Sequence, residues 1–211
     1  MSAHHDHGFS HSQVTSPRYR RVLWVALLLN FAMFFVEIIG GLRSGSVSLF
    51  ADSLDFAADA ANYGLSLAVL SMGALWQTRA AQIKALTMMV FGLLILLKTF
   101  WSIKLGAPPE SVTMGAIAVL AFVVNFAVAF MLYAFREGNA NMRSVWLCSR
   151  NDAIGNVAVL LAAVGVFGTH TIWPDILVAV GMAGLALHSG WAVWRQAGRE
   201  MHTAACGEHA H

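Results

Sequence analysis

With 58% of its 211 residues hydrophobic and only 11% charged, this chain cannot wet the surface of a soluble domain, where charged residues make up about a quarter. A mean hydropathy of +0.64 places it in a bilayer instead. The formal net charge of +2 comes without a long basic run, so no nucleic-acid partner is expected, and Cys148 and Cys206, the only cysteines, give no sign of a disulfide framework.

The chain opens on a polar head, residues 1–20, that carries His4, His5, Asp6, His7 and His11. The first apolar stretch follows this head and is too long for a signal-peptide core, so no cleaved leader is expected. About 20 apolar residues cross the hydrocarbon, and six stretches reach that length: 21–42, 46–72, 84–105, 112–135, 143–167 and 173–194. Loop signals separate them at Gly40-Gly41 to Gly45, Gln77 to Gln82, Gly106 to Glu110, Arg136 to Asn141 and Gly168 to Pro174. Links this short make neighbouring helices antiparallel. The expected fold is therefore all-α: a polytopic six-transmembrane-helix bundle over residues 21–195, followed by a short tail, 196–211.

Orientation follows the basic residues near span ends. Arg18, Arg20, Arg21, Arg79, Lys84, Arg136, Arg143, Arg195 and Arg199 fall on one side, against Arg43 and Lys104 on the other. That bias puts both termini in the cytoplasm, as an even number of spans requires. Tryptophans near the span ends form the belt common to membrane proteins and carry no functional information.

An acidic residue at mid-bilayer costs roughly 2.5–3.5 kcal/mol, so a buried carboxylate implies a task or a partner. The second stretch holds three, Asp52, Asp55 and Asp59, and no basic residue. Asp55 and Asp59 are four residues apart, one turn above each other on a single helix face. Stacked carboxylates without a cation repel, unless a proton or a metal ion supplies the positive charge. Cys148 and Asp152 in the fifth stretch repeat the spacing. Facing helices would thus offer three carboxylates and a thiol. Four such donors suit tetrahedral Zn²⁺, and the thiolate tilts selection toward softer ions such as Cd²⁺ and away from Mg²⁺ or Mn²⁺. Each ligand loses a proton when metal binds, so such a site exchanges protons for metal, the physical core of an antiporter.

Other polar residues read as secondary. The His-rich head and the tail residues His202, Cys206, Glu208, His209 and His211 suit auxiliary metal capture at the cytoplasmic mouth. Asn30, Asn62 and Asn125 line a polar cavity or bond between helices. Glu37, near the outer end of its span, is expected to be wetted. Lys98 snorkels outward, Arg150 faces away from the Cys148–Asp152 stripe, and His188 reads as a satisfied histidine within the bundle.

The run Val36 to Leu67, "VEIIGGLRSGSVSLFADSLDFAADAANYGLSL", resembles the first-to-second-helix signature of the cation diffusion facilitator family. The second-helix motif of that family, Asp or His, three residues, then Asp, falls here on Asp55 and Asp59. Its fifth-helix motif falls on "CSRNDAIGNVAVL", matching Asp152, Gly155 and Asn156 but placing Cys148 where His is usual. The resemblance spans nearly all of residues 20–195. It implies export of Zn²⁺ or a related ion, driven by inward proton flow, by a homodimer in the cytoplasmic (inner) membrane. Family members usually carry a C-terminal cytoplasmic domain, which the chain as read here lacks.

A membrane metal sensor or accessory protein that binds the ion without carrying it is the alternative from another class. The chain has no HExxH or comparable pairing, so neither an enzyme nor a resident cofactor is expected.

Overall fold

The computed structural model describes residues 17–69, 74–136 and 140–208, and within them every element is an α-helix. In chain order these are α1 (Pro17–Ser44), α2 (Val47–Val69), α3 (Ala74–Leu105), α4 (Ser111–Tyr133), α5 (Ala140–Thr169) and α6 (Trp173–Glu208). Five contain segments long and apolar enough to cross a membrane. The other is α2, whose three aspartates fall within its 23 residues.

Most element ends agree with the apolar stretches, and the differences have local causes. The expected break at Gln77 to Gln82 lies inside α3. It contains neither glycine nor proline, and Gln, Arg and Ala are good helix formers. Residues 196–208, read as part of a tail, continue α6 despite Gly198 and Gly207, because no proline interrupts them and Gln, Arg, Glu, Met and Ala are good helix formers. Gly40 and Gly41 do not end α1 but lie buried within it. A Cβ on Gly41 would sit 2.9 Å from the Phe50 backbone nitrogen, so glycine lets α1 and α2 approach closely. In lipid, where apolar surface gains nothing by leaving its solvent, such close packing is a main source of helix association.

α1 packs chiefly on α2, α4 on α5, and α3 on α6. Further α1–α4 and α2–α5 contacts join the first four into one bundle, to which the α3–α6 pair attaches through α2 and α5. The helices bury one face each, and α4 shows the pattern. Its buried residues are Met114, Ala118, Ala121, Asn125, Val128 and Leu132, spaced three and four residues apart. Large apolar side chains such as Phe31, Phe126, Phe130 and Leu161 point outward, as a lipid-facing surface requires.

Three links meet at one end of the bundle. Asp175, in the first turn of α6, accepts hydrogen bonds from Ser46 Oγ (2.7 Å), Val47 N (2.7 Å), Ser48 N (3.0 Å) and Ser48 Oγ (2.6 Å). It thereby caps the start of α2 from another helix, where an anion also favours the helix dipole. Glu110 caps α4 by accepting from Val112 N (3.0 Å) and Thr113 N (2.9 Å), while its own N–H donates to Ser44 O. These bonds, led by those from Thr113, hold the Glu110 carboxyl below its ordinary value. At the opposite end Tyr19 of α1 packs on Phe135, and Tyr133 of α4 on Trp146 of α5.

Candidate metal centre

α2 runs from the linked end inward, so Asp52, Asp55 and Asp59 descend toward mid-bundle at a helical rise of about 1.5 Å per residue. α5 approaches α2 in the middle of the bundle and brings Cys148 and Asp152 to the same place. The Asp152 carboxyl meets those of both Asp55 and Asp59. The Cys148 thiol lies within electrostatic reach of Asp55, Asp59 and Asp152. All four side chains are half-buried, and Asp152 Oδ2 is a buried atom without a hydrogen-bond partner. The two pairs read from i, i+4 spacing therefore face one another across α2 and α5.

They do not form a closed ligand shell. Among the described residues no three His, Cys, Asp or Glu side chains converge as the ligands of one metal ion must. Ionised carboxylates only accept hydrogen bonds, so carboxyls in contact need a shared proton. Carboxyls brought together in this way can be held by a shared proton or by a cation between them.

Neighbouring residues hold the two helices in register. The hydroxyls of Tyr63, one turn after Asp59, and Ser149, next to Cys148, are hydrogen-bonded and buried. Asn156 Nδ2 donates to the Asp152 carbonyl at 2.8 Å.

Two residues depart from their sequence-based reading in a way that matters here. Lys84 was counted only as a charge on the cytoplasmic side, yet it acts electrostatically on Asp55, Asp59 and Cys148. It also lines a cavity of about 220 Å³ between α2 and α3 with Ala58, Ala61, Asn62 and Thr87. A lysine so close to the start of an apolar run could have been taken for part of that run's interior. Glu37 was expected to be wetted; it is 0% exposed. A stretch rich in large apolar residues hides which face will pack, and Glu37 lies on the buried stripe with Asn30, Met33 and Gly40.

The remaining residues lie apart from the centre. Asn125 is buried, and Arg150 is exposed over the Trp146 ring as expected. His188 is exposed on α6 and is not a bundle histidine. Of the auxiliary candidates, His4, His5, His7, His11, His209 and His211 lie outside the described residues, and His202 and Cys206 lie where α6 is described by its backbone alone. A hollow of about 320 Å³ between α4 and α5, lined by Val112, Val119, Leu160 and Phe167 among others, holds no ionisable side chain.

Known proteins are similar to this chain in sequence. The zinc transporter ZitB of Pectobacterium atrosepticum is 26% identical over 205 residues, covering 91% of this chain and 64% of that protein. The metal cation efflux system protein CzcD of Cupriavidus metallidurans is 25% identical over 198 residues, covering 87% of this chain and 62% of its own length. A cadmium, cobalt and zinc/H⁺-K⁺ antiporter of Bacillus subtilis is 24% identical over 190 residues, covering 82% and 60%. This chain thus spans about three-fifths to two-thirds of the length of these relatives. Residues 23–201 match the model of the cation efflux transmembrane domain, and the chain belongs to that family.

Proposed function

We propose that this protein exports a divalent transition-metal ion, Zn²⁺ first and Cd²⁺ among the alternatives, in exchange for protons. The observation that carries the proposal is the meeting of Asp55, Asp59 and Asp152, with Cys148 beside them, between two helices of an apolar bundle. Acidic groups are costly at that depth unless they bind something. In this reading α2 is the sixth span: its aspartates lower its hydropathy and provide the site. Both termini lie in the cytoplasm, the linked end faces outward, and the chain works as a homodimer in the cell's inner membrane.

The chemistry follows from the donors. With metal absent, protons hold the carboxyls together. A dication entering from the cytoplasm displaces them and gains up to three carboxylates and one thiolate. Opening toward the far side exposes the same groups to water, where protons return and the ion leaves. Lys84, a fixed cation beside the cluster, partly balances its charge and opposes overly tight retention of the dication. The family membership and the metal and antiporter names of the relatives support this reading.

The test is calorimetric titration of Zn²⁺ into the purified protein in buffers of different ionisation enthalpy, which counts protons released per metal. Binding with proton release is expected. Asp59→Asn and Asp152→Asn should each weaken it at least about tenfold, the loss seen even for supporting residues of metal sites. Binding unaffected by either substitution would place the metal elsewhere.

A further inference from the structure

Glu37 and Asp52 fall outside the α2–α5 cluster and are more deeply buried, at 0% and 1% exposure. They sit on α1 and α2, which pack extensively on each other. Asp52 lies about 8 Å along α2 from its first residue, against about 18 Å for Asp59, so this pair is nearer the linked end. The two carboxyl groups lie against one another. Yet both Glu37 oxygens and Asp52 Oδ2 are buried with no hydrogen-bond donor among the described residues.

Among the described residues no basic group acts on the pair. The other groups that act on the pair are Asp55 and Asp59, both acidic. α4, packed on α1, carries no ionisable side chain from Ser111 to Leu132. Of the helices packed on α2, α6 contributes Asp175, already engaged in capping, and the exposed His188 and Arg195, its remaining ionisable residues lying from Arg199 onward. α3 contributes Lys84, which acts on Asp55 and Asp59, as well as Arg79, Lys98 and Lys104. α5 contributes Cys148, Asp152, Arg143 and the exposed Arg150, and neither Arg150 nor any of the α3 lysines acts on Glu37 or Asp52. A metal ion is a poor occupant, because only two side chains meet here, against the four donors brought together between α2 and α5. A proton needs just two oxygens.

We propose that Glu37 and Asp52 form a proton-binding carboxyl pair, separate from the Asp55–Asp59–Cys148–Asp152 cluster and on its outer side, which holds one proton shared between them. Its role in transport rests on the exporter reading above. A proton from the outer water forms an O–H bond on the ionised pair. That bond breaks when the proton passes inward to the cluster carboxylates as the metal leaves, with no redox change. Asp52 is placed for this, being coupled to Glu37 on one side and to Asp59 on the other.

The test is infrared spectroscopy of the purified, Zn²⁺-saturated full chain at neutral pH, in H₂O and D₂O, for the natural protein, Glu37→Gln, Asp52→Asn and the double variant. Both substitutions keep volume and add an amide donor, and thermal unfolding checks that each variant folds. The natural protein is expected to show a protonated-carboxyl stretch that shifts on deuteration. Each single variant should move it and the double variant should lack it. A double-variant spectrum that superposes on the natural one overturns the proposal. This measurement needs no transport, so it decides the proton pair even if the exporter reading fails. In proteoliposomes, Glu37→Gln should keep its Zn²⁺ Kd within about threefold and move fewer protons per metal. An unchanged proton count would overturn the relay role.

Discussion

Cys148 is where a single atom is expected to set ion preference. A thiolate favours soft ions, and a hydroxyl in its place does not. Cys148→Ser is therefore predicted to weaken Cd²⁺ binding more than Zn²⁺ binding, by roughly tenfold in the ratio of the two Kd values, a difference of about 1.4 kcal/mol. Competition titration measures it, and an unchanged ratio would remove Cys148 from the ligand set. The aspartates and this cysteine were legible in the sequence because four-residue spacing places side chains on one helix face whatever the helix packs against. Glu37 and Lys84 were not. Whether a lone charge is wetted, buried or aimed at a partner depends on which face of α1 or α3 meets its neighbours, and that is a tertiary fact.

Among the elements, the ends of α2 and α4 show how much a link contributes. Asp175 makes four hydrogen bonds across a separation of more than a hundred residues. Asp175→Ala leaves the first N–H groups of α2 and two serine hydroxyls without their acceptor, and is predicted to cost about 2 kcal/mol, the upper range for a cap. A fall in the detergent-solubilised protein's Tm reports it, and an unchanged Tm would show that the cap is redundant. Glu110 gives a pH-dependent counterpart. Its carboxyl titrates below the ordinary value of 4.5 when folded, so its contribution is present above that value and lost as pH falls through the lowered one. Glu110→Gln should therefore flatten the dependence of Tm on pH in that acid window and change little about its slope at neutral pH. Periodicity and length made the helices visible from sequence, but not the continuation of α3 through 77–82 or of α6 to Glu208. Polar residues of good helix propensity look like a loop when hydropathy alone is read, and a buried Gly40-Gly41 looks like a break.

The whole molecule is an apolar bundle with two acidic stations at different depths, Glu37 with Asp52 buried nearer the linked end and Asp55, Asp59 and Asp152 half-buried at mid-bundle. The division into four helices and an attached α3–α6 pair places the mid-bundle station at the α2–α5 contact. Close packing of α1 on α2 positions α2 for that contact. Gly41→Ala, whose new methyl would meet the Phe50 backbone at 2.9 Å, should force α1 from α2 and cost on the order of 1–3 kcal/mol, the usual penalty of overpacking. Thermal unfolding again reads it. Stacked aspartates in an otherwise apolar chain made the mid-bundle station legible; the outer one emerged only once α1 was laid on α2.

The most direct measurement is Zn²⁺ flux with simultaneous internal pH in proteoliposomes, comparing the natural chain with Asp59→Ala and Asp152→Ala. The prediction is Zn²⁺ movement with opposing proton flow in the natural protein and neither in the two variants. Zn²⁺ binding without any crossing would contradict it, and would make the protein a membrane metal sensor or accessory subunit.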